Sequence, residues 1–119
     1  MIPAIEKTID YKKVKSLFPD KREVKEQIML GLILTAHEKA PSLKQFYVNN
    51  DWDRLHDTMK HIVSAYEQIG TQELTDVLQK TQTIISKNKK SLELENQIHL
   101  LSILSNQIIH DIQHYLNAG

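Results

Sequence analysis

Only three glycines (Gly31, Gly70 and Gly119) and three prolines (Pro3, Pro19 and Pro41) punctuate this chain of 119 residues. The long segments between them are dominated by Lys, Glu, Gln, Leu and Ile, residue types that a helix accommodates at little cost. No run alternates β-branched and polar residues with a period of two, so the pattern predicts helix throughout. The scarcity of glycine also bears on chemistry. There is no glycine-rich phosphate loop, no Gly-x-Ser-x-Gly elbow and no dinucleotide fingerprint.

The punctuation predicts five helices. The first is short, about 10–18, and stops before Pro19. The second is long. It opens at Asp20, where Asp20 and Glu23 have capping-box spacing, carries Val24, Ile28, Leu32, Thr35 and Ala36, and reaches Asn49. Pro41 lies inside it and predicts a kink or a short break. Asn50 or Asp51 caps the third helix, and Gly70 is expected to supply a left-handed residue past its end. Thr71 caps the fourth, 72–86, which a basic polar connection, Lys87-Asn88-Lys89-Lys90, links to the fifth. Ser91 opens that last helix, 92–116, with Leu94, Ile98, Leu101, Leu104, Ile108, Ile112 and Tyr115 at three- and four-residue steps. Helices of this length joined by short turns predict an all-α fold, an antiparallel up-down-up-down four-helix bundle preceded by a short N-terminal helix. The chain is expected to be one domain over 1–119, with its lead-in helix about 10–18 and its bundle about 20–117.

Composition narrows the function classes. Hydrophobic residues make up 40% of the chain and charged ones 25%, enough apolar side chain for a core and too much for disorder. Lys+Arg and Asp+Glu are equal at 15 each, which removes the usual electrostatic reason to propose nucleic acid. No apolar run reaches the ~20 residues of a membrane span, and the N-terminus does not read as a signal peptide. Cysteine is absent, which removes thiol chemistry and fits a cytoplasmic protein. The expectation is a cytoplasmic monomer without cofactor or metal that touches neither membrane nor nucleic acid.

The third helix has the sharpest division of faces. At ~100° per residue, with Lys60 at zero, Trp52, Leu55, Met59, Ile62, Val63, Tyr66 and Ile69 share an arc of about 120°, a core-facing stripe. The opposite side holds Asp53, His56, Asp57, Lys60, His61, Ser64 and Glu67. His56, Lys60 and Ser64 form one i, i+4 row, and Val63 sits at the border beside it. A solvated face is the bland account of such a polar side.

Around this helix the sequence resembles a family. Asp51-Trp52-Asp53-Arg54-Leu55, a central polar site and then Ile69-Gly70-Thr71-Gln72-Glu73-Leu74 look like the histidine-containing phosphotransfer (HPt) domain. Ile9-Asp10-Tyr11 through Leu17-Phe18 looks like that family's lead-in helix, and Leu34 through Leu43 looks like its second helix, including the proline. The resemblance covers roughly residues 9–116. The family's hallmark is His, any residue, Leu, Lys, Gly, then Ser or Ala, with a Leu-Gly or Ile-Gly pair closing the helix. Counting back from Ile69-Gly70 and forward from Leu55 both put Lys60 at the histidine position. Ile62 then takes the Leu position, Val63 the Lys, Ser64 the Gly and Ala65 the small residue. The phosphoacceptor His is thus replaced by Lys60, and the Lys that would steady the phosphoryl group by Val63.

A phosphoacceptor needs a free lone pair. Neutral imidazole supplies one, whereas an exposed Lys, with an ordinary pKa of ~10.4, is almost wholly ammonium at neutral pH. Activating it as a nucleophile requires burial or neighbouring cations, which Asp57 and Ser64 do not provide. His61 and His56 are the alternative candidate phosphoacceptors. His61 lies ~100° round the helix from Lys60, and shifting the register to centre it would turn the apolar stripe by the same angle. His56 is in the Lys60 row, one turn earlier. Both also read as ordinary surface histidines.

The resemblance implies a partner, the receiver domain of a response regulator or a sensor histidine kinase. His56, Lys60, Val63, Ser64, Ala65 and Glu67 would form the docking surface, with Ser64 and Ala65 small enough to allow close approach and Val63 adding an apolar contact. The expected function is a degenerate phosphorelay adaptor, not an enzyme. The alternatives are a competent phosphotransfer protein using His61 or His56, and a helical interaction module that keeps only the fold. Elsewhere, His110 and His114 stand i, i+4 on the last helix, a spacing able to chelate a metal. Without a third ligand in sequence they read better as surface histidines near a helix end. His37-Glu38-Lys39 is a decoy, since Pro41 follows it and the Leu spacing is missing. Phe46, Tyr47 and Trp52 are expected to plug one end of the bundle.

Overall fold

The computed structural model describes residues 7–17, 31 and 38–118, with side chains to residue 114 in the last stretch. The described residues are helical apart from their connections and form no strand. Helix α1 is Tyr11–Leu17, α2 covers 38–48, and α3, α4 and α5 are Trp52–Glu67, Gln72–Ile85 and Leu92–Ala118. The Asp20–Glu23 capping box, the apolar positions of 24–36 and His37 lie outside the described residues, as does the side chain of Tyr115.

The starts of α1, α3, α4 and α5 are each set by a short polar side chain that takes up a free amide of the first turn. Asp10 Oδ1 accepts from the amides of Lys12 and Lys13 at 3.0 and 3.3 Å. Asp51 caps α3 by accepting from the Arg54 amide, Thr71 caps α4 through the Leu74 amide, and Ser91 caps α5 through the Leu94 amide at 3.1 Å. Residues 38–48 are helical straight through Pro41, so there is no break at that point. In that turn the Ser42 hydroxyl donates to the Lys39 carbonyl at 2.7 Å.

The direction of the helices follows from bonds at their ends. At one end, the Tyr47 hydroxyl donates to the Ser91 carbonyl at 3.2 Å and His56 meets Asn88 at 2.7 Å. The end of α2, the start of α3, the end of α4 and the start of α5 therefore lie together. At the other end, Ile9 pairs antiparallel with Gly70. The Asp10 amide donates to the Ile69 carbonyl at 2.7 Å and the Thr71 amide to the Thr8 carbonyl at 3.0 Å. Thr8, fully buried, also donates its hydroxyl to Asp111 Oδ2 at 2.6 Å, which brings in α5. Helices α3, α4 and α5 thus alternate in direction, α4 packing against both of the others.

The core between them contains most of the apolar positions that the spacing picks out on α3 and α5, and also Leu100, which it does not. From α3 it takes Leu55, Met59, Ile62, Val63 and Tyr66, with Ile69 beyond its end. From α5 it takes Leu94, Ile98, Leu101, Leu104, Ile108 and Ile112. Leu43 and Tyr47 enter from α2, Leu74, Leu78, Ile84 and Ile85 from α4, and Ile9 and Val14 from the lead-in. Phe46 and Trp52 are half-buried against this core, and Trp52 meets Tyr47 edge to face with ring centroids 6.3 Å apart, the plug expected at this end. One polar bridge crosses the α4–α5 seam, where the buried Thr81 hydroxyl donates to the Val77 carbonyl at 2.8 Å with the Gln97 side-chain amide 3.0 Å away.

Gly70 corrects an expectation. It is not left-handed; among the described residues the positive-φ ones are Asn50 (57°) and Asn88 (49°), a residue type that tolerates that region. Close approach is what calls for glycine at position 70. Its amide donates to the Tyr66 carbonyl at 2.7 Å, and a Cβ there would stand 2.7 Å from that same oxygen and 3.0 Å from Leu74 Cδ2. Because the obstructing atom is backbone, relief requires the whole turn to move. Gly70→Ala is expected to destabilise the protein by about 1–3 kcal/mol, read as a lower midpoint in urea without loss of helicity in the folded baseline.

Tyr66 carries a second prediction. Burial pushes its phenol up to about 12, and the nearby Ser105 hydroxyl opposes this only in part, falling short of a full hydrogen bond. In the unfolded chain the phenol ionises near 10. Between those values the unfolded state has lost a proton that the folded state keeps, so stability falls as pH rises. The contribution is fully present below pH ~10 and fades by pH ~12, on the order of 2–3 kcal/mol in all. Denaturation of wild type and Tyr66→Phe across this range should show a flatter alkaline slope for the variant.

Candidate functional site

Helix α3 positions the candidate site, and its buried stripe sets which residues reach solvent. Leu55 and Met59 are wholly buried and Ile62 and Tyr66 nearly so. With these four turned inward, helical geometry turns Lys60 outward. Lys60, Ser64 and Glu67 are exposed, His56 is half-buried, and Asp53, Asp57 and His61 are exposed beside them. Among the described residues Lys60 has neither a hydrogen bond nor an ion pair. Its amine is a solvated cation in the middle of the exposed row.

Two members of the expected docking surface fall elsewhere. Val63 is 8% exposed and Ala65 9%. Val63 sits on the flank of the stripe that packs into the core, joining the apolar cluster with Tyr66 and Ile62. It therefore offers a partner little area, and the apolar contact expected from it is not available. Ala65 is likewise covered. The row open to solvent is polar, His56, Lys60, Ser64 and Glu67, with Asp53 and Asp57 alongside.

The two histidines differ in their surroundings. His56 Nε2 lies 2.7 Å from Asn88 Oδ1, so as a donor to that amide oxygen this nitrogen has no lone pair free, and the ring is tied to the α4–α5 connection. His61 is exposed and has no hydrogen-bond partner among the described residues. Asp57 one turn before it and Ser64 one turn after are its helical neighbours. His110 and His114 are exposed on α5, and among the described residues no three His, Asp or Glu side chains come together as a metal site.

Tertiary contact adds what periodicity misses, the approach of the 87–90 connection to this row. Asn88 is 32 positions from His56, and neither residue type nor spacing announces the pair. The only local signal was the Asn itself, flanked by lysines, at a connection where a left-handed residue is common. Lys90 is held at the same end of the molecule, donating to the Val48 carbonyl at 3.2 Å and lying 5.4 Å from the centre of the Tyr47 ring, a cation–π distance.

No helix among the described residues is long and apolar enough to cross a membrane. Comparison of the chain with family models, with curated proteins and with solved structures finds no match in any of the three.

Proposed function

We propose that this chain is a degenerate phosphotransfer module, an HPt-like adaptor that binds a response-regulator receiver domain or a sensor histidine kinase without carrying phosphate itself. The reading takes the second helix as the fourth member of an up-down-up-down bundle. The observation that carries it is the exposed Lys60 amine at the centre of the α3 row, above a fully packed stripe. An HPt protein would hold its phosphoacceptor imidazole at that point. Exposed ammonium has no lone pair with which to take up a phosphoryl group. It does have a positive charge suited to the acidic cluster of a receiver domain, where opposite charge speeds encounter and favours association. The exposed Ser64 one turn on leaves room for a partner's surface.

The test uses a purified receiver domain phosphorylated with labelled phosphate. Wild-type protein is expected to bind the receiver in calorimetry and to take up no label, while Lys60→His acquires label. Transfer to the wild type overturns the adaptor reading, and failure to bind every receiver and kinase of the same genome overturns the docking one.

The ring of His61, exposed and without a partner among the described residues, favours a second reading, a competent phosphotransfer protein that presents its imidazole off the centre of the row. In that case wild-type protein labels and His61→Gln abolishes the label, with His56→Gln as the matched control.

A further inference from the structure

We infer that the face between α2 and α5 is an interface with a second copy of this chain, paired about a two-fold axis parallel to the two helices. The inference goes beyond the adaptor reading and does not rest on it, since no residue of α3 lines this face. The two helices flank a groove of about 510 Å³, which Pro41, Lys44 and Val48 line from α2 and Leu92, Glu95 and His99 from α5. Leu92 is 72% exposed and Val48 57%, the two highest values of any large apolar side chain among the described residues. Ile103, also exposed, stands within about 20° of Leu92 round α5. Apolar side chains gathered in water on one face mark a contact surface.

The order of residues along the two walls selects the occupant. Tyr47 donates to the Ser91 carbonyl and Lys90 to the Val48 carbonyl, which sets Val48 level with Leu92. Lys44 is one turn before Val48 and Glu95 about one turn after Leu92, so cation and anion stand level, ~5 Å along the groove. Pro41 and His99 are each about two turns from the same end. A second copy given half a turn about the groove axis lays its α2 wall on the α5 wall of the first, and the reverse. Val48 then meets Leu92 and Lys44 meets Glu95, and each pair is made twice. An axis across the middle of the groove would instead lay like walls together and bring Lys44 against its own copy. Lys44 and Glu95 are the only Lys, Arg, Asp or Glu among the described residues that line the groove. Lys90 is held on the Val48 carbonyl, and Glu93 lies about 160° from Glu95 round α5. One cation and one anion give a polyanion or an anionic membrane no net attraction, and they suit a surface that matches itself. Such a dimer departs from the monomer expected from the chain.

Sedimentation of the full chain from about 1 to about 500 µM tests this, a range that covers weak self-association. Wild type is expected to pass from monomer to dimer within it. Val48→Asp with Leu92→Asp should weaken the dimer about tenfold or more. Both side chains are exposed, so the fold is kept, as circular dichroism checks. Lys44→Glu alone and Glu95→Lys alone should each weaken self-association about fivefold or more at low salt, because each sets like charges together twice. Mixing these two variants is expected to restore a dimer of wild-type strength with one copy of each, since both Lys–Glu pairs return. A fluorescent label on one of them reads this, and charge pairing within a single copy gives no such rescue. Wild type that stays monomeric at the highest concentration overturns the inference, as does a dimer indifferent to the Val48 and Leu92 changes. A dimer that shows no recovery on mixing overturns the two-fold arrangement.

Discussion

Burial of one apolar stripe on α3 is the constraint on which the rest depends. Leu55, Met59, Ile62, Val63 and Tyr66 pack into the core together with residues of α2, α4 and α5. Each large side chain removed from water contributes roughly 1.5–3 kcal/mol, so no rotation of the helix about its axis is tolerated. A turn of ~100° would expose most of the set and bury His61 and Arg54. That stiffness makes the identity of the residue at position 60 meaningful. The amine faces solvent because its neighbours cannot.

The ends of the helices are fastened by a different kind of interaction. At the far end of α3, Thr8, Ile9 and Asp10 lie along 69–71, and Lys13 Nζ donates to the Gly70 carbonyl at 2.9 Å. The close approach there, with no space for a Cβ at Gly70, joins the lead-in segment to the α3–α4 turn. At the near end, the Tyr47–Trp52 contact, the Lys90 bonds and the His56–Asn88 pair draw the α2–α3 and α4–α5 connections together. The candidate face is therefore supported at both ends, with a rigid core beneath it.

Replacing an imidazole by an ammonium changes what such a face can do without changing its shape. An imidazole near neutral pH has one nitrogen able to attack and another able to donate. A solvated lysine keeps its protons and acts only as a charge. In the proposed adaptor, chemistry would be lost and electrostatic recognition kept or strengthened, as when a scaffold for group transfer becomes one for binding. Val63 is buried, so the exposed row around Lys60 is polar and the apolar contact expected of Val63 is absent from it.

Much of this was legible in the chain itself. Breaker scarcity and three- and four-residue apolar steps determined the all-α class. The caps at Asp51, Thr71 and Ser91 and the inward set of α3 and α5 followed from local rules, because caps and amphipathic phase are properties of neighbouring residues. The exposure of Lys60 followed for the same reason. Tertiary structure alone decided the fate of border positions. Val63 and Ala65 lie at the edge of the stripe, where a few tens of degrees separate solvent from core and only the packing of the neighbouring helices settles it. It also decided why Gly70 is glycine, a crowding by the Tyr66 carbonyl where the chain pattern suggested a left-handed turn. And it brought Asn88 to His56 and Asp111 to Thr8, pairs distant in sequence that no local periodicity encodes.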